Sequence, residues 1–360
     1  MHSVVYYKSN KFGGWPANCG IWSWGNEILA SYVVGDYNAD VEGHKINRER
    51  PMLRGFSRSV DGGETWTAEP AIARDPDVPA KPVPDGGFDF ANPNFILQVG
   101  HPQIRIEPRG YYVSMDRARS WDGPFAMPEF GHSSTARTCY HIEGPKTMRM
   151  FVAHELPTKP EIPYSDRAIT IVTEDGGQTW QHVGEITDDL PRSVMPDAVR
   201  LSDGTLVVAL RRRMIYAAFN ADALRDYVRM PWPDDNWIEL RRSTDNGKTW
   251  HTPVRAGETA HQFNRNGNPP AMTKLSDDTL VLVYGYRGAV PSIKARVSTD
   301  GGITWGKEHV LRDDALIYDL GYPQLVARPD NQCVAVYYYT TEQRPENHIE
   351  ATVFDPRDLA

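Results

Sequence analysis

The sequence has 360 residues, of which 40% are hydrophobic, 11% are aromatic and 24% are charged. It carries 39 lysines and arginines against 47 aspartates and glutamates, a formal net charge of −8, and no basic run, which argues against nucleic acid or an anionic membrane as a partner. No window of about 18 apolar residues is present, so no transmembrane helix is expected. Residues Met1 to Lys8 lack the apolar core of a signal peptide. We therefore expect a cytoplasmic protein, or a secreted or periplasmic one if a signal has been removed.

Five segments of the chain share the pattern S/T-x-D-x-(G/A)-x-(S/T)-W. In chain order they are Ser59–Trp66, Ser114–Trp121, Thr173–Trp180, Ser243–Trp250 and Ser298–Trp305. The aspartate can accept hydrogen bonds from the backbone N–H groups that follow it, and glycine can take a positive φ, so each segment predicts a tight turn between antiparallel strands. The tryptophan can bury a large apolar area against a neighbouring unit. Five copies in one chain indicate a repeat architecture.

The spacing of these segments matches one four-stranded propeller blade per repeat. Asp61 and Asp116 are 55 residues apart, and the widest gap, from Asp175 to Asp245, is 70 residues. Length alone would allow two or three domains, but evenly spread repeats favour a single one. We therefore predict an all-β fold, a six-bladed β-propeller with four-stranded antiparallel blades that forms one domain over residues 1–360.

Six blade starts can be placed along the chain, and five of them carry a proline, whose missing N–H costs least at the beginning of a strand. The blade starts lie near Trp15, Phe88, His132, Met195, Asn268 and Tyr322. Hairpins follow, most clearly from Ala198 to Leu210 around an Asp-Gly turn. The sixth unit, Gly321 to Phe354, is predicted to pair with the N-terminal run Val4 to Tyr7, which would remove the open edges of a linear array.

The remaining segments carry less information. Pro70 to Gly87 is predicted to be a loop, and Asp222 to Asp235 a surface loop or short helix. The three cysteines, Cys19, Cys139 and Cys333, are far apart and form no C-x-x-C pair, so we predict buried structural thiols. The histidines show no spacing typical of metal ligands, and neither a metal nor another cofactor is expected.

The repeated segments resemble those of the sialidase superfamily of Asp-box (BNR) six-bladed propellers, across essentially the whole chain. Asp boxes are specific for the fold and much less so for activity, because non-catalytic receptors and other glycan-processing propellers carry them too. Function must therefore be inferred from the site.

Strand direction predicts where that site lies. In a four-stranded antiparallel blade, the start of strand 1 and the end of strand 2 share one face, whereas the turn between strands 3 and 4 lies on the other. The aspartates of the repeated turns are therefore predicted to be structural. Polar residues at the blade starts are Asn18, Asp89, Asn92, His132, Asp197, Asn268, Asp319 and Tyr322, and those at the ends of the second strands are Asp36, Asp40, His154, Glu155, Arg211, Arg212, Arg213 and Arg287. Arginines together with carboxylates suit an anionic sugar.

The resemblance assigns roles to some of these residues. The nucleophilic tyrosine of sialidases starts the last blade in a motif like Gly321-Tyr322-Pro323, which implies Tyr322. Asp197 would activate it, although the family usually has glutamate there, and Arg212, 15 residues further on, would bind the substrate carboxylate together with Arg287. A neutral phenol avoids the repulsion that a carboxylate nucleophile would meet at an anionic anomeric centre.

The general acid of the family lies in a loop of the first blade. Here the segment from Gly35 to His44 offers Asp40 first, then Asp36, Glu42 or His44. The Arg-Ile-Pro motif that opens the first blade of sialidases is replaced by Trp15-Pro16-Ala17, so an arginine of the family's carboxylate-binding triad is missing. The arginines available to replace it are Arg48, Arg50, Arg54 and Arg137. We predict a substrate-binding set of Arg212, Arg287, Asn18, Asp89, Asn268, His44 and Arg50.

These residues predict an exo-acting, retaining glycoside hydrolase that releases a terminal acidic sugar, sialic acid or similar, from a glycan. A propeller lyase or another glycosidase acting on uronate-containing polysaccharide is an alternative, with His44, His132 or His154 as base. A non-catalytic glycan-binding propeller is a third. Simpler structural roles are a further alternative. In that case Arg211 to Arg213 form a solvated strand end and Tyr322 is a packing residue.

Overall fold

A computed structural model describes residues 1–73, 78–100, 110–126, 132–133, 137–155, 166–189, 191–215, 234–251, 253–260 and 266–359. The chain divides into two compact units. The first unit joins Met1–Arg74 to Val254–Ala360, and the second is Asp75–Pro253. In the described ranges no helix is both long enough and apolar enough to cross a membrane. The single domain inferred from the repeats stays a prediction.

Regular structure in the described residues is almost entirely β-strand. The first strands are β1 (His2–Tyr6), β2 (Lys11–Gly14), β3 (Gly20–Trp24), β4 (Glu27–Asp36), β5 (Leu53–Ser59) and β6 (Thr67–Ile72). The second unit contains β7 (Ile96–Val99), β8 (Gly110–Ser114), β9 (Asp122–Ala126), β10 (His132–Ser133), β11 (Tyr140–Ile142), β12 (Met148–Glu155), β13 (Asp166–Thr173), β14 (Gln181–Glu185), β15 (Arg192–Arg200), β16 (Leu206–Ile215) and β17 (Asp234–Ser243). The chain continues with β18 (Val254–Ala260), β19 (Pro270–Lys274), β20 (Leu280–Tyr286), β21 (Ser292–Ser298), β22 (His309–Arg312), β23 (Gly321–Ala327), β24 (Cys333–Tyr339) and β25 (His348–Phe354). Short 3₁₀ turns occur at Pro16–Asn18 and Pro356–Leu359.

The first unit contains three antiparallel sheets. Their strand orders are β2-β4-β5-β6, with β3 also on β4, then β19-β20-β21-β22, and β1-β25-β24-β23. In the last sheet His2 stands opposite Thr352 and Ser3 opposite Ala351. The predicted pairing of the N-terminal run with the sixth unit is therefore confirmed.

The second unit has the strand orders β7-β8-β9, then β10-β12-β13-β14 with β11 also on β12, and β15-β16-β17. The predicted hairpin from Ala198 to Leu210 is confirmed, because β15 and β16 pair and the Leu201 N–H donates to the Thr205 carbonyl at 2.9 Å. Six sheets are thus present in the described part of the chain. The protein is all-β and has the six-bladed β-propeller fold class predicted from the repeats.

The repeated turns share one hydrogen-bond pattern. In the first, the Ser59 hydroxyl donates to Asp61 at 2.7 Å and accepts the Gly63 N–H at 2.8 Å. The Asp61 carboxylate accepts the N–H of Thr65 at 3.0 Å and its hydroxyl at 2.5 Å. Gly62 and Gly63 have φ of 78° and 92°, which glycine adopts without strain. Equivalent bonds recur at Asp116, Asp175, Asp245 and Asp300.

The core lies between the strands of successive sheets. In the first unit, Phe12, Trp15, Tyr32 and Val336 belong to one buried cluster, and in the second, Phe88 and its neighbours form another. None of the three cysteines forms a disulfide and all are buried, as predicted, and burial raises the pKa of the Cys139 and Cys333 thiols.

Of the two predicted loops, one is corrected and one is only partly described. Strand β6 extends to Ile72, so Pro70 lies inside a strand rather than in a loop. Its strand is the outer one of its sheet, where a proline removes no ladder bond that the sheet needs. In the segment from Asp222 to Asp235, residues 222–233 lie outside the described residues.

Candidate functional site

Within the first unit, strand register confirms that the repeated turns and the ends of the second strands lie at opposite ends of each sheet. On β4 and β5, Ile28 stands opposite Ser59 and Val34 opposite Leu53. The repeated turn after Ser59 and the segment after Asp36 therefore leave from opposite ends of one sheet. The same holds for β20 and β21, where Leu280 pairs with Ser298 and Tyr286 with Ser292. Arg287 thus follows the strand end that is remote from the turn at Asp300.

Three blade starts share an unusual backbone conformation. Trp15, Met195 and Tyr322 have φ of 54°, 55° and 47°, and each directly precedes a proline. A positive φ at a bulky residue costs on the order of 1–3 kcal/mol, so the surrounding structure must hold it in place.

Asn268 holds the start of the last blade. Its side chain is fully buried, and its Oδ1 accepts the Tyr322 N–H at 2.9 Å. Gly321 precedes Tyr322 with a φ of 102°, and a Cβ added to Gly321 would lie 2.1 Å from Asn268 Oδ1. Glycine is therefore required at this position, and Asn268, predicted from the sequence to bind substrate, positions the backbone of Tyr322.

Arg287, Asp319 and Tyr338 form a buried charged network beside this blade start. Arg287 Nη2 donates to the Tyr338 hydroxyl at 2.6 Å, and that hydroxyl donates to Asp319 Oδ1 at 2.5 Å. Arg287 also donates to the carbonyls of Leu320 and Asn266 and lies 3.5 Å from Asp319 Oδ1. Burial acts to lower the pKa of Arg287, but Tyr338 and Asp319 outweigh it, so that pKa is raised.

His44 extends this network towards solvent. Its Nδ1 lies 2.8 Å from Asp319 Oδ1, and 28% of its side chain is exposed, against 2% for Asp319. A carboxylate only accepts hydrogen bonds, so His44 Nδ1 is the donor. Burial acts to raise the pKa of Asp319, but the bond and charge of His44, followed by Arg287 and Tyr338, outweigh it and lower that pKa. The result is an ionised carboxylate shared by a histidine and an arginine.

Tyr322 completes the set that we call the Tyr322 cluster, which consists of His44, Arg287, Asp319, Tyr322 and Tyr338. The Arg287 Cζ lies 5.6 Å from the centroid of the half-buried Tyr322 ring. The Tyr322 and Tyr338 rings meet edge to face at 6.0 Å, and the His44 and Tyr338 rings are 6.5 Å apart. The Arg287 guanidinium therefore makes a cation–π contact with the Tyr322 ring.

A cleft of about 650 Å³ adjoins the Tyr322 cluster. Residues of three chain segments line it, namely Ala39 to Gly43 with Lys45, then Gly288, Ala289 and Pro291, and Ala315 to Tyr318. Each segment runs directly into the cluster, because His44 lies within the first, Arg287 precedes the second and Asp319 follows the third. The cleft is large enough for a sugar residue.

Three other predicted site residues of the first unit are Asp40, Arg50 and Asn18, and of these Asp40 lines the cleft. Asp40 is exposed, and its N–H donates to the Asn38 side chain at 3.0 Å. Arg50 is exposed, and Asn18 ends the 3₁₀ turn after Trp15. Arg54, a candidate for the missing arginine, is buried and contacts Cys19.

In the second unit, the predicted residues are paired with opposite charges. Arg137 contacts Asp197 at 2.5 Å, and Arg212 contacts Asp189 at 2.5 Å and Glu239 at 3.6 Å. Arg212 is completely buried. Asp89 is exposed and accepts the Ala91 N–H within a turn. The side chain of His132 lies outside the described residues. The roles assigned to Asp197, Arg212 and Asp89 remain predictions.

Two residues of the site region are missed from the sequence. Tyr338 sits in a run of three tyrosines that are all fully buried, so nothing in the pattern distinguishes it. Asn347 donates to the backbone carbonyl of Asp319 at 3.0 Å, and its place after a loop gives no signal. Asp319 is among the polar residues predicted at the blade starts, but the sequence assigns it no role.

Comparison with known proteins gives the family. A family model described as BNR repeat-like domain matches residues 95–334. The chain belongs to the BNR repeat-like domain family. The resemblance predicted from the repeated turns is thus confirmed. No curated protein matches the sequence.

Solved structures share the fold of this BNR repeat-like protein at low identity. A protein of unknown function from Dyadobacter fermentans is 20% identical with a TM-score of 0.68, and the match covers 98% of this chain and 97% of that one. The GH93 α-L-arabinofuranosidase of Fusarium graminearum, solved with arabinobiose, is 12% identical with a TM-score of 0.62 and coverage of 99% and 98%. A Hadza microbial sialidase is 14% identical with a TM-score of 0.58 and coverage of 97% and 66%. At these identities the likeness concerns the fold alone.

Proposed function

We propose that this BNR repeat-like protein is a glycoside hydrolase that removes a terminal acidic sugar from a glycan, with Tyr322 as nucleophile. The observation that carries the proposal is the Tyr322 ring 5.6 Å from the buried Arg287 guanidinium, whose chain neighbour Gly288 lines a cleft. A cation beside a phenol is what an activated tyrosine needs. Solved proteins of the same fold that are named as a sialidase and an arabinofuranosidase support a glycosidase.

In this proposal, the Tyr322 oxygen attacks the anomeric carbon as the bond to the leaving oxygen breaks. A covalent glycosyl-tyrosine forms, and water then hydrolyses it with retention of configuration. Arg287 stabilises the phenolate and provides positive charge for the sugar carboxylate. The phenolic proton passes to a base, for which the sequence offers Asp197. Arg212 is the second arginine proposed for the carboxylate. The leaving oxygen takes a proton from the segment between Asp36 and His44.

The test is Tyr322→Phe, assayed on aryl glycosides of N-acetylneuraminic, glucuronic and galacturonic acids. We expect the variant to lose activity by on the order of a thousandfold or more, as when other hydrolases lose their nucleophile. Tyr7→Phe is the matched control, because Tyr7 is exposed and its hydroxyl donates to Glu346 at 3.2 Å, at the protein surface. Full activity in Tyr322→Phe would show that the mechanism is wrong.

One observation favours a second candidate, a lyase acting on uronate-containing polysaccharide. His44 is oriented by Asp319 beside a buried arginine, which are the base and the carboxylate-neutralising cation that such a lyase needs. The base would take the proton next to the uronate carboxylate as the bond to the C4 oxygen breaks. The unsaturated product absorbs ultraviolet light, so a polysaccharide panel without that absorbance would count against it. Binding to the same panel without any turnover would favour a glycan-binding protein instead.

A further inference from the structure

We infer that His44, oriented by Asp319, is the residue that gives the leaving oxygen its proton. This inference rests on the proposed hydrolase function and replaces Asp40, the first candidate from the sequence, by a residue whose geometry suits the task. It names a catalytic residue, His44, and a positioning residue, Asp319.

The carboxylates of the same segment are less well placed. Asp36 contacts Lys11, and that bond, acting against burial, lowers the pKa of Asp36, so it holds a proton less readily. Asp40 and Glu42 are exposed to solvent. Proton transfer gains most from a group that is fixed in orientation, and an exposed side chain is not.

His44 is fixed on three sides. Asp319 binds its Nδ1 at 2.8 Å, the Trp15 ring stands edge to face against it at 4.9 Å, and the Tyr338 ring lies 6.5 Å away. Asp319 is itself held, because Tyr338 donates to its Oδ1 and Asn347 to its backbone carbonyl. The imidazole therefore cannot turn without losing its bond to a buried carboxylate.

This arrangement selects the nitrogen that exchanges protons. Since Nδ1 donates to Asp319, Nε2 is the nitrogen left to exchange protons, and Gly43 and Lys45, on the two sides of His44, line the cleft. Imidazole is the side chain whose ordinary pKa lies nearest neutrality, so it can both give and take a proton there. Asp319 orients the imidazole, as the carboxylate does in a Ser-His-Asp triad.

The step balances in protons and bonds. The imidazolium Nε2–H passes its proton to the glycosidic oxygen as that oxygen leaves the anomeric carbon. The Tyr322 oxygen bonds to the anomeric carbon, and its phenolic proton passes to the proposed base, Asp197. His44 is then neutral and keeps its Nδ1 proton on the side of Asp319. In the second step, Nε2 takes a proton from water as the water oxygen attacks the anomeric carbon, the bond to Tyr322 breaks and the Tyr322 oxygen recovers its proton from that base. His44 ends protonated, as it began.

The test compares two leaving groups on the acidic sugar that the wild type cleaves. The nitrophenolate of a nitrophenyl glycoside leaves without protonation. The methoxyl oxygen of a methyl glycoside must be protonated before it can leave. For His44→Gln, we expect kcat/KM to fall by about a hundredfold or more on the methyl glycoside, the usual contribution of general acid catalysis, and by less than about tenfold on the nitrophenyl glycoside. His251→Gln, an exposed histidine of the second unit, is the matched control and should change neither rate.

Asp319→Asn tests the positioning role. It should show the same dependence on the leaving group as His44→Gln. Because Asp319 is buried, this variant can lose its fold, whereas His44 is partly exposed and its variant keeps the proposal testable.

Three outcomes would contradict the proposal in different ways. An equal loss on both glycosides in His44→Gln would overturn the role of His44 while leaving the hydrolase intact. So would a leaving-group dependence that occurs in Asp40→Asn but not in His44→Gln. Absence of cleavage by the wild type on any acidic glycoside would instead overturn the proposed function itself, and the inference with it.

Discussion

The turns between strands and the blade starts both recur along the chain, but they differ in which part of the structure recurs. At the turns, backbone and side chains recur together, so that Asp61, Asp116 and Asp300 bind the same backbone and hydroxyl groups. At the blade starts, only the backbone recurs. Trp15 and Tyr322 share a positive φ before a proline, yet one side chain packs against His44 and the other against Arg287.

The difference separates what the fold requires from what a site requires. A turn whose side chains bind only groups of the same turn stabilises the fold in the same way at every copy. A backbone that is held constant while its side chains vary presents different chemistry on a fixed frame. Variants in the turns should therefore change the free energy of unfolding, and variants at the last blade start should change catalysis.

The largest effect is expected at the last blade start. Gly321→Ala would place a Cβ 2.1 Å from Asn268 Oδ1 at a φ of 102°, which must displace Asn268 and with it Tyr322. We expect cleavage to fall at least about a hundredfold, because misplaced reacting groups lose much of the benefit of orientation. Rates on the aryl glycosides and thermal unfolding are the measurements.

Gly25→Ala is the control for that variant. Gly25 has a φ of 68°, and no heavy atom lies within 4 Å of the position that an added Cβ would take, so the substitution adds only backbone strain. It should lower stability by about 1 kcal/mol and leave the rate unchanged. If both variants lost activity equally, the special role of the last blade start would be refuted.

A smaller effect is expected at a repeated turn. Asp61→Ala removes the acceptor for the Thr65 and Glu64 N–H groups, and we expect the free energy of unfolding to drop by about 1–3 kcal/mol with kcat unchanged. Urea unfolding and the glycoside assay measure the two quantities. Glu64→Ala, an exposed neighbour in the same turn, should change neither. A fall in kcat for Asp61→Ala would contradict the division between turns and blade starts.

The smallest effect is expected in how the stability of the fold changes at acidic pH. Burial acts to raise the pKa of Asp61, but bonds from Thr65, Ser59 and Glu64 outweigh it and lower that pKa to about 2, from an ordinary value of 3.8. A carboxylate with a lowered pKa stabilises the fold above about pH 4, and that stabilisation is lost as the pH falls towards about 2. The stability difference between the wild type and Asp61→Asn should therefore shrink over this range. A difference that stayed constant there would show that the Asp61 carboxylate is not held by these bonds.

The sequence predicts the turns well and the Tyr322 cluster poorly, for one physical reason. A turn such as Ser59–Trp66 is closed by bonds between residues two to four apart, so its pattern is visible locally. The bond between His44 and Asp319 joins residues 275 positions apart, and only packing reveals it. Tyr322 and Arg287 can be found because motif and strand direction place them, whereas the contact of Tyr338 with Asp319 has no counterpart in the pattern.

The pairing of β1 with β25 bears on how the chain is synthesised. Ser3 is synthesised 348 residues (351 − 3) before its partner Ala351. At about 5–20 residues per second, the first strand waits on the order of tens of seconds for its neighbour. During that time its backbone is an unpaired edge that other nascent chains can bind. The nascent chain is therefore exposed to aggregation through β1 until β25 emerges.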